Sequence, residues 1–157
     1  MLAVSLLAIL ALSVGGAAYA AWGGSGSGTG SATTGTTVAV TLSPGAPSAD
    51  LYPGGQANVV LTVSNPNASP VRIGSLSLDT GQGTLGFGVD GGHLGCAVST
   101  LSFTTQTNGG AGWNVPAKVG AVNGTLSVTL TNALAMSSGA ANGCQGASFT
   151  TYLAAGP

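Results

Sequence analysis
From Thr37 to the C-terminus the hydrophobic residues fall in short alternating runs. Val38, Val40 and Leu42 alternate with Ala39 and Thr41, and Val59, Leu61 and Val63 alternate with Val60 and Thr62. Leu126, Val128 and Leu130 alternate with Ser127, Thr129 and Thr131. A period of two turns one face of an extended strand to a core and the other to water. Shorter runs of the same kind join Leu85, Phe87 and Val89, Leu101 and Phe103, Trp113 and Val115, and Phe149, Thr151 and Leu153. The run from Val71 to Asp79 changes phase, because Val71 and Ile73 give way to Leu76 and Leu78. Gly74 sits at that switch and predicts a β-bulge. Turn chemistry separates the runs at Pro44-Gly45 and Pro47, Leu51-Tyr52-Pro53-Gly54-Gly55, Asn65-Pro66-Asn67, Ser69-Pro70 and Asn108-Gly109-Gly110. No stretch after Ala21 has a helical period; Ala133 to Met136 comes nearest and is too short. About eight short strands bounded by turns predict an all-β fold. The expected architecture is one antiparallel β-sandwich, immunoglobulin-like or jelly-roll, over residues 37–157.

The first residues follow another pattern. Leu2 to Val14 is an uncharged apolar run of the length of a signal-peptide core, followed by Gly15-Gly16. Ala18-Tyr19-Ala20 satisfies the small-x-small rule, which places cleavage between Ala20 and Ala21. Residues 1–20 are therefore expected to be a signal peptide. A retained membrane anchor is the alternative, and it is the one route to a membrane this sequence offers. No basic residue precedes the apolar run, so the true start is expected upstream of Met1. Residues 21–36 form a Gly/Ser/Thr-rich tract. In it Ser25, Ser27, Thr29, Ser31 and Thr33 alternate with Gly26, Gly28, Gly30 and Ala32. Its composition is that of a flexible linker. Its period of two also suits an exchangeable strand with one hydroxyl face and one bare face.

Charge narrows the function classes. The chain has two basic and three acidic residues, a net charge of −1, and no glutamate. That is too little positive charge for nucleic acid or for a polybasic membrane patch. Hydrophobic residues make up 44 % of the chain, which excludes charge-driven disorder. Asp50, Arg72, Asp79, Asp90 and Lys118 carry all the formal charge, so both ends of the chain are neutral. A surface with so few charges lacks colloidal repulsion, and sheet edges without charged residues accept further strands.

Export makes a disulfide the default for Cys96 and Cys144, worth on the order of 4 kcal/mol for a loop of this length. Two buried free thiols are one alternative. Zinc held by Asp90, His93, Cys96 and Cys144 is another. No cofactor is expected. Asp90, His93 and a serine would be the one possible triad, but the Gly-rich setting of His93 favours a polar loop. Asp79 and Asp90 could at most flank a weak Ca²⁺ site. Gly81 to Gly86 matches G-x-G-x-x-G in letters, without the strand and helix a dinucleotide site requires. Tyr52 and Trp113 are the aromatics that could stack on a sugar; core or turn packing is their ordinary use.

Three segments carry a resemblance. They are Gly15 to Trp22, Ser31 to Thr36, and Leu51-Tyr52-Pro53-Gly54-Gly55-Gln56 with the strand Ala57 to Val63 and the turn at Asn65. Together they resemble the small secreted β-sandwich proteins of actinobacteria, whose function is unknown. More distantly they resemble the TasA/camelysin group of matrix-fibre proteins. The chain is shorter than that group and lacks its many Lys and Asp residues. The resemblance implies a sandwich at the cell surface, with residues 21–36 as the segment that inserts into a neighbouring subunit. Camelysin's metallopeptidase activity does not carry over, because no His-x-x-x-His set is present. The expected protein is a non-enzymatic, secreted or cell-surface structural protein. Its expected partner is itself, through edge-strand pairing or N-terminal strand exchange. The alternative is a small adhesin or carbohydrate-binding module.

Overall fold
The computed structural model describes residues 37–157, so the signal-peptide and Gly/Ser/Thr-tract expectations lie outside the described residues. The fold is all-β, with antiparallel pairing throughout. The strands in chain order are β1 (Thr41–Leu42), β2 (Ala46–Pro47), β3 (Gln56–Asn65), β4 (Val71–Ile73), β5 (Ser75–Leu78) and β6 (Phe87–Val89). There follow β7 (Leu101–Phe103), β8 (Trp113–Val115), β9 (Gly124–Met136), β10 (Phe149–Thr151) and β11 (Leu153–Gly156). Two single 3₁₀ turns, Val98–Thr100 and Asn142–Cys144, complete the elements.

One sheet is built on the long β3–β9 ladder, with β7 beyond β9 and both β1 and β2 on the far edge of β3. The remaining strands pair as β4–β8, β5–β11 and β6–β10. Side chains from both sets, among them Val59, Leu61, Val63, Val128 and Leu130 on one side and Ile73, Leu76, Phe87, Phe149 and Leu153 on the other, form one buried cluster. This is a sandwich-like arrangement, and the alternation along β3 produces it directly. Its odd-numbered residues from Ala57 to Asn65 are all buried, while the even-numbered ones are exposed or half-buried. Each fully buried Val or Leu contributes roughly 1.5–3 kcal/mol to that core.

The strands are more numerous than the expected eight, and all but β3 and β9 are short. Val71 to Asp79 is two strands rather than one bulged strand, and β4 and β5 pair with different partners on either side of Gly74. A Cβ at Gly74 would overlap the Pro157 carbonyl, and its N–H donates to Gly156 O at 3.0 Å. Leu85 does not belong to β6. It is exposed and takes a φ of 55° in the preceding loop. Val38 and Val40 precede β1 rather than joining it. Pro47, expected to end a run, instead sits in the edge strand β2, where a missing N–H costs nothing.

Ala133 to Met136 belongs to β9. The register moves from Ala57↔Leu134 to Val59↔Leu130, so β9 carries two extra residues at this point. Asn132 occupies the inward phase set by Leu130 and Leu134, but it is looped out with a φ of 49° and stays exposed. Its N–H donates to Asn58 Oδ1 at 2.9 Å. The bulge thus removes a polar residue from the core and returns Leu134 and Met136 to it.

The first residue of β9 is also sterically constrained. Gly124 is buried, and a Cβ there would overlap the Pro116 carbonyl and lie 2.7 Å from Ala117 O. Both neighbours are backbone and cannot rotate away. Gly124→Ala is expected to destabilise the fold by about 2 kcal/mol, read as a lower urea midpoint at unchanged slope.

Candidate functional site
Cys96 and Cys144 are joined in a disulfide, with Cα atoms 4.5 Å apart. The bridge ties the segment before the first 3₁₀ turn to the end of the second. Both thiols are consumed, so the zinc alternative and the free-thiol alternative are overturned. A disulfide of this kind belongs to an oxidising, extracytoplasmic environment. No helix among the described residues is long and apolar enough to cross a membrane.

Asp90 and His93 form a loop fastening. His93 Nδ1 lies 2.8 and 3.0 Å from the two Asp90 oxygens; a carboxylate only accepts, so Nδ1 carries the proton. The same carboxylate accepts the Ser148 N–H at 2.6 Å and the Gly92 N–H at 2.9 Å. It therefore holds its own loop against the residue preceding β10. The ring's other nitrogen lies beside Gly146, and no serine hydroxyl bonds to it among the described residues. Asp79 is engaged separately, accepting from Gly81 N–H at 3.1 Å and Gln82 Nε2 at 2.6 Å. Among the described residues no group of His, Cys, Asp and Glu is arranged to hold a metal ion. Gly81 to Gly86 is the loop between β5 and β6, with no helix after it.

The Ser148 N–H, then His93, pull the Asp90 pKa down from the ordinary 3.8 to about 2. A depressed carboxyl adds stability that is complete above its unfolded pKa and is lost as pH falls through its folded one. The Asp90 fastening is thus expected to hold at pH 4 and above and to release between about pH 4 and pH 2. The amide signal of Ser148, followed by NMR through an acid titration, should move with a midpoint near pH 2. A midpoint near 4 would contradict the assignment.

Tyr52 and Trp113 do not come together. Trp113 is half-buried in β8 and packs against the core. Tyr52 is 66 % exposed at the head of a tight turn closed by Gly55 N–H donating to Tyr52 O at 2.8 Å. The turn is pinned to the end of β9 by reciprocal bonds, Gly54 N–H to Met136 O and Met136 N–H to Gly55 O. Tyr52 stands over a cleft of about 410 Å³ between this turn and the segment 140–148.

Asn65, expected as part of a turn, has a role that its turn chemistry does not disclose. It is fully buried, and its Nδ2 donates to Ser69 O at 2.9 Å and Pro116 O at 2.8 Å. Its Oδ1 accepts both the N–H and the side-chain Nδ2 of Asn67. Asn67 in turn grips the backbone of Val38: its Oδ1 accepts the Val38 N–H and its Nδ2 donates to Val38 O, both at 2.8 Å. A buried amide and a half-buried one thus hold the chain at Val38, ahead of β1. The available signal was phase, since Asn65 falls on the inward face after Val59, Leu61 and Val63.

No family model matches the chain, and neither the curated proteins nor the solved structures contain a match to it.

Proposed function
We propose that this is a non-enzymatic, exported structural protein whose copies assemble by strand exchange. In this reading residues 21–36 of one copy pair with the outer edge of β11 in the next. The observation that carries it is the state of that edge. Thr151 and Gly45 exchange reciprocal N–H···O bonds at 2.8 Å, so the Thr151 backbone points away from the β5 side. The Tyr152 carbonyl points to the β5 side, accepting Asp79 N–H at 2.9 Å. By alternation, Leu153 and Ala155 direct their N–H and C=O groups the same way as Thr151. Neither has a ladder partner on that side among the described residues.

The edge opens on a groove of about 540 Å³ between Ala39–Leu42 and Leu153–Pro157. Unpaired backbone groups along a groove are the requirement for strand addition. Neither β11 nor residues 21–42 contain a charge that would repel an incoming strand; Arg72 lines the groove, with its guanidinium donating to the carbonyls of Gly110 and Ala111, and Lys118 lies in the loop before β9. The resemblance to matrix-fibre proteins points the same way. The alternating tract would set hydroxyls on one face and glycines on the other as it pairs.

Two versions of the protein test this, one beginning at Ala21 and one at Thr37. In sedimentation and negative-stain microscopy at high concentration the longer should form multimers and the shorter should remain a monomer. A longer version that stays monomeric, or a shorter one that assembles equally well, would rule the proposal out.

A further inference from the structure
We infer that the cleft under Tyr52 binds an uncharged, polyhydroxylated ligand, a short neutral oligosaccharide. The cleft, at about 410 Å³, falls within the roughly 300–1,000 Å³ range of small-molecule sites. Its walls are held by main-chain bonds on one side and by the Cys96–Cys144 disulfide on the other, so it is formed before any ligand arrives. Leu51, Met136 and Ala147 supply apolar lining.

Asn65, Asn67, Arg72, Asp79, Asp90 and Asn108 all use their side chains to brace loops or turns. Asp50, Tyr52, Asn142 and Gln145 line one cleft, and none of their side chains makes a hydrogen bond among the described residues. Four side chains with unused donors and acceptors therefore surround an apolar floor. Asp50 is the one formally charged residue in the lining, and there is no cation. An anionic ligand would meet a carboxylate and nothing to neutralise it.

A sugar ring matches this set. Its C–H face covers the Tyr52 ring, and its hydroxyls, which both donate and accept, suit carboxamides and a carboxylate. The site lies apart from the open edge: it is built on the turn before β3 and on residues 140–148, whereas the groove is built on β1 and β11. The two proposals can therefore fail separately.

The test is a two-dimensional amide NMR titration of the chain beginning at Ala21, at concentrations where it is monomeric. Cellohexaose, maltohexaose and N-acetylchitohexaose serve as neutral probes. Saturable shifts confined to residues 50–53 and 140–148 are expected with at least one probe. Tyr52→Ala should weaken that binding roughly tenfold, while Tyr52→Phe, which keeps the ring, should retain most of it. Gln145→Ala should weaken it severalfold. Both positions are exposed, so the variants should fold. No saturable shift with any probe, shifts centred elsewhere, or binding unchanged in Tyr52→Ala would overturn the inference.

Discussion

Replacing both Cys96 and Cys144 by serine is expected to lower the unfolding free energy by about 4 kcal/mol. The bond spans 48 positions, and β7, β8 and β9 all lie within the loop it closes. Without it the unfolded chain regains the conformations that loop closure had removed. The folded state loses little by comparison, since the large side chains of the core lie in the β-ladders. The loss should therefore appear as a lower urea midpoint, with a slope that is unchanged or slightly steeper as the unfolded state expands. Reduction of the native protein should reproduce it, because the link itself is what stabilises. A double-serine variant with the native midpoint would contradict this account of the bridge. The cleft beside residues 140–148 should loosen in the same variant, visible as faster amide exchange there than in β3.

Asn65→Leu is expected to cost about 3 kcal/mol, although leucine is apolar and the site is buried. The Asn65 amide both donates and accepts. Its Nδ2 satisfies the carbonyls of Ser69 and Pro116, and its Oδ1 satisfies two donors of Asn67. Leucine leaves those part-buried groups unpaired around a fully buried position, and an unpaired buried polar group costs about 1–3 kcal/mol. Asn65→Asp should also destabilise, since a carboxylate keeps the acceptor but turns a second oxygen towards two carbonyls. Equilibrium unfolding in urea measures both. A loss below about 1 kcal/mol for Asn65→Leu would show that water replaces the amide at little cost.

The long strands were legible because their phase is unbroken and their neighbours are polar. Val59, Leu61 and Val63, and Leu126, Val128 and Leu130, face the core as the alternation requires. The disulfide was legible from two cysteines behind a segment expected to be an export signal. The breaks were not, because their causes are distant in sequence. Gly74 looks like a bulge when read locally, but its constraint comes from Pro157, which crosses it in space. Asn132 interrupts β9 through a bond to Asn58 on the neighbouring strand. Leu85 has the right spacing for a strand, yet it lies in a loop of left-handed residues with Gly83 and Gly86.

The candidate site was half legible. Tyr52 and Trp113 were equal candidates as letters, and only three-dimensional packing separates a ring on an open turn from a ring against the core. Asn142 and Gln145 carried no signal, since nothing local shows that the segment 140–148 folds over the turn at Tyr52. The edge of β11 left unpaired among the described residues could not be read either. It depends on which side of Thr151 meets Gly45, a fact of pairing rather than of composition.

Hydrogen exchange at the amides of Leu153 and Ala155 decides whether copies of the protein exchange strands at the β11 edge. In the version beginning at Thr37 these two N–H groups have no ladder partner and should exchange faster than those of Ala154 and Gly156, which face β5. In assemblies of the version beginning at Ala21 the strand-exchange account predicts that Leu153 and Ala155 become protected, while Ala154 and Gly156 change little. Equal exchange of Leu153 and Ala155 in the assembled and truncated proteins would contradict it.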